Sequence, residues 1–354
     1  MTTLDRYVAR AIMLHLALAL GGFVLIFSVI GLMEELSSVG EGSYGVGDAV
    51  RFIVLRLPTE SFELFPGAAL VGCVMGLGAL AARGELIAMQ ACGVSYIRLA
   101  ASALQAAALA GVAMMLFAEL VAAPLARSAH TQRVVAVSGG RAMASTTGFW
   151  TRADNSIVNV RDPQSDGTLR DILVYEFDAD HHLRRYIHAR SGRPTADGWR
   201  LEDLVETAIG EASVARRYVA GEPWAGLPRP RDVQSLLLPA EDLAVAELRS
   251  TIATLRGQRL LTHRYELAFW KRITTPLIAL VMMVIAMPLV LSSLARQRQG
   301  RAVVIAALAG VGFQMFNQTF GTFALVYQLP PLFGATAPGL AMLLFGAWRF
   351  RRLH

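Results

Sequence analysis

The sequence predicts an α-helical membrane protein with six transmembrane helices in a 3 + 3 arrangement and an all-β domain inserted between the two triplets. Three observations carry this reading. The 354 residues are 54% hydrophobic with a mean hydropathy of +0.45, too apolar for one soluble core of this length. The apolar residues are gathered into runs long enough to cross a bilayer. One central stretch, residues 124–262, departs from that pattern, alternating polar with apolar residues and holding most of the Asp, Glu and His.

The first run, Ala11 to Met33, contains no Asp, Glu, Lys or Arg, and about 20 apolar residues suffice to cross the hydrocarbon core. It exceeds the apolar segment of a removable signal peptide and lacks a small-residue cleavage site, so it is expected to be retained. Leu64 to Ala82 and Leu99 to Ala118 complete the first triplet within residues 1–123. Ile273 to Leu294, Ala302 to Tyr327 and the shorter Leu332 to Trp348 form the second within residues 263–354. A charge at a helix centre costs roughly 2.5 to 3.5 kcal/mol on insertion scales, so runs this clean read as spans.

Between the triplets, segments such as "SIVNV", "DILVYEF" and "LRRYIHAR" are rich in β-branched and aromatic residues and separated by turn signals, the pattern of an antiparallel sandwich or open barrel. Val245, Leu248, Ile252 and Leu255 then recur at helical spacing and predict an amphipathic helix, expected at the membrane surface before the fourth span.

The net charge of +6 is distributed by topology. Arg6, Arg10, Arg83, Arg98, Arg296, Arg298, Arg301, Arg349, Arg351 and Arg352 all fall in short loops or termini on one side. The positive-inside rule puts both termini and those loops in the cytoplasm and the central domain outside it. Nucleic-acid binding is not expected from a basic balance of this origin.

The chemistry that can be sought by motif is thin. Lys271, in "AFWKR", is the single lysine, so no P-loop exists, because that loop needs Gly-Lys-Ser/Thr to hold nucleotide phosphates. No H-E-x-x-H occurs, and Cys73 and Cys92 have neither metal spacing nor a disulfide framework. His181, His182 and His188 lack accompanying acids or cysteines and read as strand and turn residues. Neither a catalytic residue, a metal nor a cofactor is assigned. Gly72 and Gly76 form a G-x-x-x-G pair that permits close helix packing, and Gln314, Asn317 and Gln318 suit interhelical hydrogen bonds.

Glu34, Glu35, Glu63, Arg127, Arg133, Lys271 and Arg272 lie near the outer ends of spans. They either mark where the hydrocarbon ends or, if the ligand is an anionic amphiphile, supply its partners, with Arg133 and Arg272 offering bidentate guanidinium forks. In "AARGELIAMQACG" a helix would put Glu85 and Met89 on one face flanked by Ala88 and Cys92. That face fits either a short interfacial connector or an element entering a cleft on another protein.

"LDRYVAR", "AARGELIAMQACGVS", "STTGFW", "FWKRITTPL" and "NQTFGTFALVYQLPP" together resemble the LptF/LptG permease family from end to end of the chain, and the first and last of these stretches resemble its LptG branch. The resemblance implies the transmembrane half of an ATP-binding-cassette exporter with a jellyroll-like periplasmic domain. The implied partners are an LptF-like permease, a dimer of the ATPase LptB, which alone uses ATP and Mg, the subunit LptC and the periplasmic bridge protein LptA. The implied cargo is lipopolysaccharide, taken from the bacterial inner membrane. Residues 83–97 would be the coupling helix, with Glu85 the acid that meets the ATPase, accompanied by Arg83, Leu86, Met89 and Gly93. The lipid-facing set would be Arg133, Arg272, Lys271, Phe65 and Glu34. Where the family carries basic residues at the outer end of span one, this chain reads "GLMEELSS", which shifts phosphate recognition toward Arg133, Arg272 or the partner subunit. The alternatives are an FtsX/MacB-like mechanotransmission protein, whose one-plus-three span layout differs, and a membrane assembly scaffold.

Overall fold

The first apolar run forms the middle of helix α1 (Thr3–Glu35). Val8, Ile12, Leu16, Ala19 and Phe23 are buried at intervals of three or four residues, whereas Leu14, Leu18, Leu25 and Ile26 are exposed, as expected of a helix solvated on its far side by hydrocarbon. The computed structural model describes residues 3–137, 149–153, 155–164, 168–178, 182–195, 198–210, 213–224, 227, 238–257, 261–294 and 299–351. Arg296, Arg298, Arg352, His181 and the start of "STTGFW" lie outside the described residues.

Helix α2 (Val46–Ala82) runs unbroken through Pro58 and Pro66, so the predicted second span is its later half. The short α3 (Glu85–Ala91) and then α4 (Tyr96–Phe117) follow. A π-helical turn over Ala118–Ala122 leads directly into α5 (Ala123–Val137). Helical backbone therefore continues past residue 124, the expected start of the β domain. Pro124 is tolerated because the hydrogen-bond ladder is already re-registering at the π turn, where a missing N–H costs least. After the strands come α6 (Val245–Gly257), α7 (His263–Leu294), α8 (Gln299–Val326) and α9 (Pro331–Arg351). Among the described residues five helices are long and apolar enough to cross a membrane, with Pro331–Gly346 a shorter sixth.

The chain divides into two compact units, one comprising Met1–Gly31, Arg56–Leu125 and Glu266–His354, the other Leu32–Leu55 and Ala126–Tyr265. In the helical unit the G-x-x-x-G pair sits against α1. A Cβ on Gly72 would lie 2.4 Å from Leu16 Cα, and one on Gly76 would lie 2.9 Å from Ile12 Cα. Only hydrogen fits at those two positions, which fixes the register of α1 on α2.

The second unit holds a six-stranded antiparallel sheet whose strands lie in chain order: β1 (Phe149–Ala153), β2 (Ser156–Pro163), β3 (Leu169–Phe177), β4 (Leu183–Thr195), β5 (Gly198–Ile209) and β6 (Val214–Trp224). The inserted stretch thus carries a β domain, which among the described residues is one meandering sheet, with α5 before it and α6 after it in the chain. Val158, Val160, Ile172, Val174, Ile187, Ala189, Trp199, Leu201 and Leu204 form its core. Along β2 to β5 the residues of this core fall two apart except at one row, where the interval between buried positions is three: Leu169 to Ile172, Ala189 to Gly192, and Leu201 to Leu204. Asp171 and Asp203 at that row have positive φ, 50° and 52°. Because three neighbouring strands carry the interruption in register, with Ile172 opposite Ala189 and Ala189 opposite Leu204, the sheet creases without losing its pairing or the continuity of this core. The predicted stripe of α6 is also present, with Leu248, Ile252 and Leu255 buried.

Candidate functional site

The helical unit carries a charged elbow between α2 and α4. Gly84 adopts φ 73° and Gly93 φ 85°, left-handed conformations that glycine reaches without a Cβ penalty, and the two turns bracket α3. Within the 83–97 stretch the helix itself occupies Glu85–Ala91. Gly93 N donates to Gln90 O at 2.9 Å and Val94 N to Met89 O at 3.1 Å, closing the helix, and Ser95 caps the next one by accepting from Arg98 N at 3.3 Å. Leu86 is buried in the helical core with Met89 packed partly against it, whereas Ile87 is 63% exposed. Leu86 is therefore an anchor under the helix, and the apolar contact surface is Ile87, which sequence reasoning did not single out.

Glu85 stands in the first turn of α3, where the helix dipole favours a carboxylate. Tyr7 Oη donates to its Oε2 at 2.7 Å. Arg83 Nη1 is 3.9 Å from Oε1. Close by on α1, Asp5 Oδ1 accepts from Ser102 Oγ of α4 at 2.7 Å. Tyr7 and Asp5 were not candidates from the sequence, because 78 and 97 residues separate them from their partners. The elbow presents one partly exposed carboxylate beside an apolar side chain, a surface fitted to a basic partner.

Elsewhere in this unit Lys271 and Arg272 occupy successive positions of α7. Arg272 is buried with its guanidinium 5.1 Å from the Phe62 ring, and Phe62 packs on Ala118 and Ala122 of the π turn. Lys271 reaches the side of α8 where residue 321 is glycine; a Cβ there would lie 2.5 Å from its Nζ. Among the described residues its ammonium has no ion-pair partner. Phe65 is buried and lines an apolar pocket of about 460 Å³ with Met13, Leu16, Leu20, Met114 and Phe117.

The second unit holds Arg133 and Glu34. Arg133 Nε pairs with Glu35, its Nη2 donates to Ser38 Oγ at 3.2 Å, and its guanidinium lies 5.9 Å from the Tyr44 ring and 5.6 Å from the Phe52 ring. Tyr44 Oη donates to Glu35 Oε1 at 2.9 Å. Burial, aided by that bond, pushes the Tyr44 hydroxyl well above the ordinary tyrosine range. Glu34 is exposed beside this cluster. Two further contacts tie α5 to α6 and the turn before it: Arg127 pairs with Glu247 in the first turn of α6, and His130 Nε2 lies 2.7 Å from the fully buried Asp242 carboxylate. The boundary charges are thus partly consumed by packing within this unit.

Comparison with known proteins bears on this arrangement. The model of the family described as lipopolysaccharide export system permease LptF/LptG matches residues 6–352. Over 352 residues, 99% of this chain and 98% of the relative, the sequence is 30% identical to the lipopolysaccharide export system permease protein LptG of Haemophilus influenzae. Over the same shares it is 28% identical to the LptG protein of Escherichia coli.

Proposed function

Because the chain belongs to the LptF/LptG family of lipopolysaccharide export permeases, we propose that it is the LptG-type subunit of an ATP-binding-cassette exporter that extracts lipopolysaccharide from the inner membrane and passes it to a periplasmic bridge. It is a multi-pass membrane protein and a permease subunit, and its relatives' names place it in the lipopolysaccharide export system. In this reading both termini and α3 are cytoplasmic and the creased sheet is periplasmic. Hydrolysis occurs in a separate LptB dimer, and an LptF-like permease, LptC and LptA complete the route. The chain has no ATPase site of its own.

The observation that carries this reading is the elbow. A seven-residue helix held between two left-handed glycines leaves little slack between α2 and α4, so a displacement of Glu85 and Ile87 is delivered to two membrane helices rather than absorbed by a loop. Leu86 in the core transmits it, and Arg83, Met89 and Gly93 set the pose. On the lipid side, the pocket at Phe65 suits acyl chain, and the ammonium of Lys271, without an ion-pair partner among the described residues, suits a phosphate, with Arg272 at the next position of α7 turned to Phe62. Arg133 and Glu34 are a second polar group on the other unit.

Two experiments test these roles. In mild detergent, Glu85→Arg should lose the co-purifying ATPase subunit; full retention overturns the coupling role. Lys271→Glu should lower photocrosslinking of lipopolysaccharide about tenfold, the scale of one charge-assisted contact, while leaving the ATPase bound. Unchanged crosslinking removes Lys271 from the lipid path.

A further inference from the structure

We infer that Tyr7 is a positioning residue of the ATPase-docking surface, holding Glu85 in the pose in which the ATPase meets it and carrying the displacement of α3 into α1. This rests on the reading of Glu85 as the coupling acid. The hydroxyl of Tyr7 occupies Oε2 at 2.7 Å, whereas Oε1 has Arg83 only at 3.9 Å, beyond hydrogen-bond length. One oxygen is committed to the chain's own α1 and the other is left for an incoming guanidinium or ammonium. A glutamate on an exposed helix face samples several rotamers, and fixing one of them before docking lowers the entropic cost of the contact.

The same turn of α1 is tied to three elements. Tyr7 reaches α3, Asp5 accepts from Ser102 of α4 at 2.7 Å, and Ile12, one turn further on, lies under Gly76 of α2 with no room for a Cβ between them. A shift of α3 that preserves the Tyr7 bond must move α1 with it. Tyr7 is itself 45% exposed, with Arg6 and Arg10 exposed on neighbouring positions, so the docking surface extends from α3 onto the start of α1. Its partner is a cleft on the ATPase carrying a basic side chain for Glu85 and an apolar floor for Ile87.

The test is a double-mutant cycle in the full exporter complex, reconstituted in proteoliposomes containing lipopolysaccharide, reading lipid released per ATP hydrolysed. Tyr7→Phe keeps the ring and removes the hydroxyl. It should leave the melting temperature unchanged and lower the lipid-to-ATP ratio about tenfold, the scale of one hydrogen bond to a charged acceptor. Added to Glu85→Gln, it should cost nothing more, because the neutral amide still accepts from Tyr7 but no longer supplies the carboxylate whose pose the hydroxyl fixes for the basic partner. Wild-type behaviour of Tyr7→Phe, or losses that multiply in the double variant, would overturn the inference. If Glu85→Gln alone leaves the ratio intact, it is the coupling role of Glu85 that fails, and the two failures are told apart by that single variant.

Discussion

Glu85 and Glu35 are set in the same chemical company and do opposite things. Each accepts from a tyrosine, Tyr7 at 2.7 Å and Tyr44 at 2.9 Å, and each has one arginine nearby, Arg83 and Arg133. At Glu85 the arginine stands off at 3.9 Å and the carboxylate side chain is 29% exposed; at Glu35 the arginine is in contact and the exposure is 11%. The buried trio is in direct contact, with Phe52 and Tyr44 flanking Arg133 and Ser38 accepting from its Nη2. The exposed trio keeps an oxygen available. A carboxylate buried against its own arginine supports structure, and one more exposed, with its arginine beyond hydrogen-bond length, invites another molecule.

The comparison breaks most visibly on removal of the acids. Glu35→Ala leaves Arg133 half-buried and uncompensated and should cost about 2 to 4 kcal/mol of unfolding free energy, read as a lowered thermal midpoint of the purified chain. Glu85→Ala should cost under about 1 kcal/mol in the same melt, the scale of an exposed pair, while losing the ATPase subunit. Equal losses of stability at the two sites would erase the distinction. A finer cut comes from the tyrosines: Tyr44→Phe strands part of a buried acceptor and should cost about 1 kcal/mol, whereas Tyr7→Phe, at a half-exposed bond, should be nearly silent in stability and visible only in coupling.

The smallest effect belongs to an acid in the sheet, Asp162, whose burial outweighs its polar neighbours. Burial raises the Asp162 carboxyl above the usual range despite the nearby Arg170 and a bond from Gln164, and among the described residues its Oδ1 has no hydrogen-bond partner. A folded value above the unfolded one means that folding favours the protonated form. Its contribution is fully present below the unfolded value near pH 3.9 and is lost as pH rises through the folded value. Asp162→Asn should therefore raise the melting temperature slightly at pH 7 and make no difference near pH 3.5. A larger gain at the acidic end would reverse the sign and discard the explanation.

Much of the fold was legible because the relevant forces are local. A clean apolar run needs only its own composition to be a span, and Gly72 and Gly76 announce a close helix contact by lacking side chains; α1 filled it with Leu16 and Ile12. The stripe of α6 was legible for the same reason. The crease of the sheet was not, since Asp171 and Asp203 carry no sequence mark distinguishing a left-handed aspartate from an ordinary one. The continuation of α5 beyond Pro124 was hidden because the π turn before it is a hydrogen-bond event rather than a composition.

Of the candidate site, the sequence alone determined the elbow: two glycines around a short helix beginning with an acid, and an apolar body to either side, follow from backbone freedom and hydropathy. Only the tertiary structure decided what each charge is for. Glu35 meets Arg133 from 98 residues away and Glu85 meets Tyr7 from 78, and whether such a pair is closed or open depends on distance and burial, which no spacing along the chain encodes.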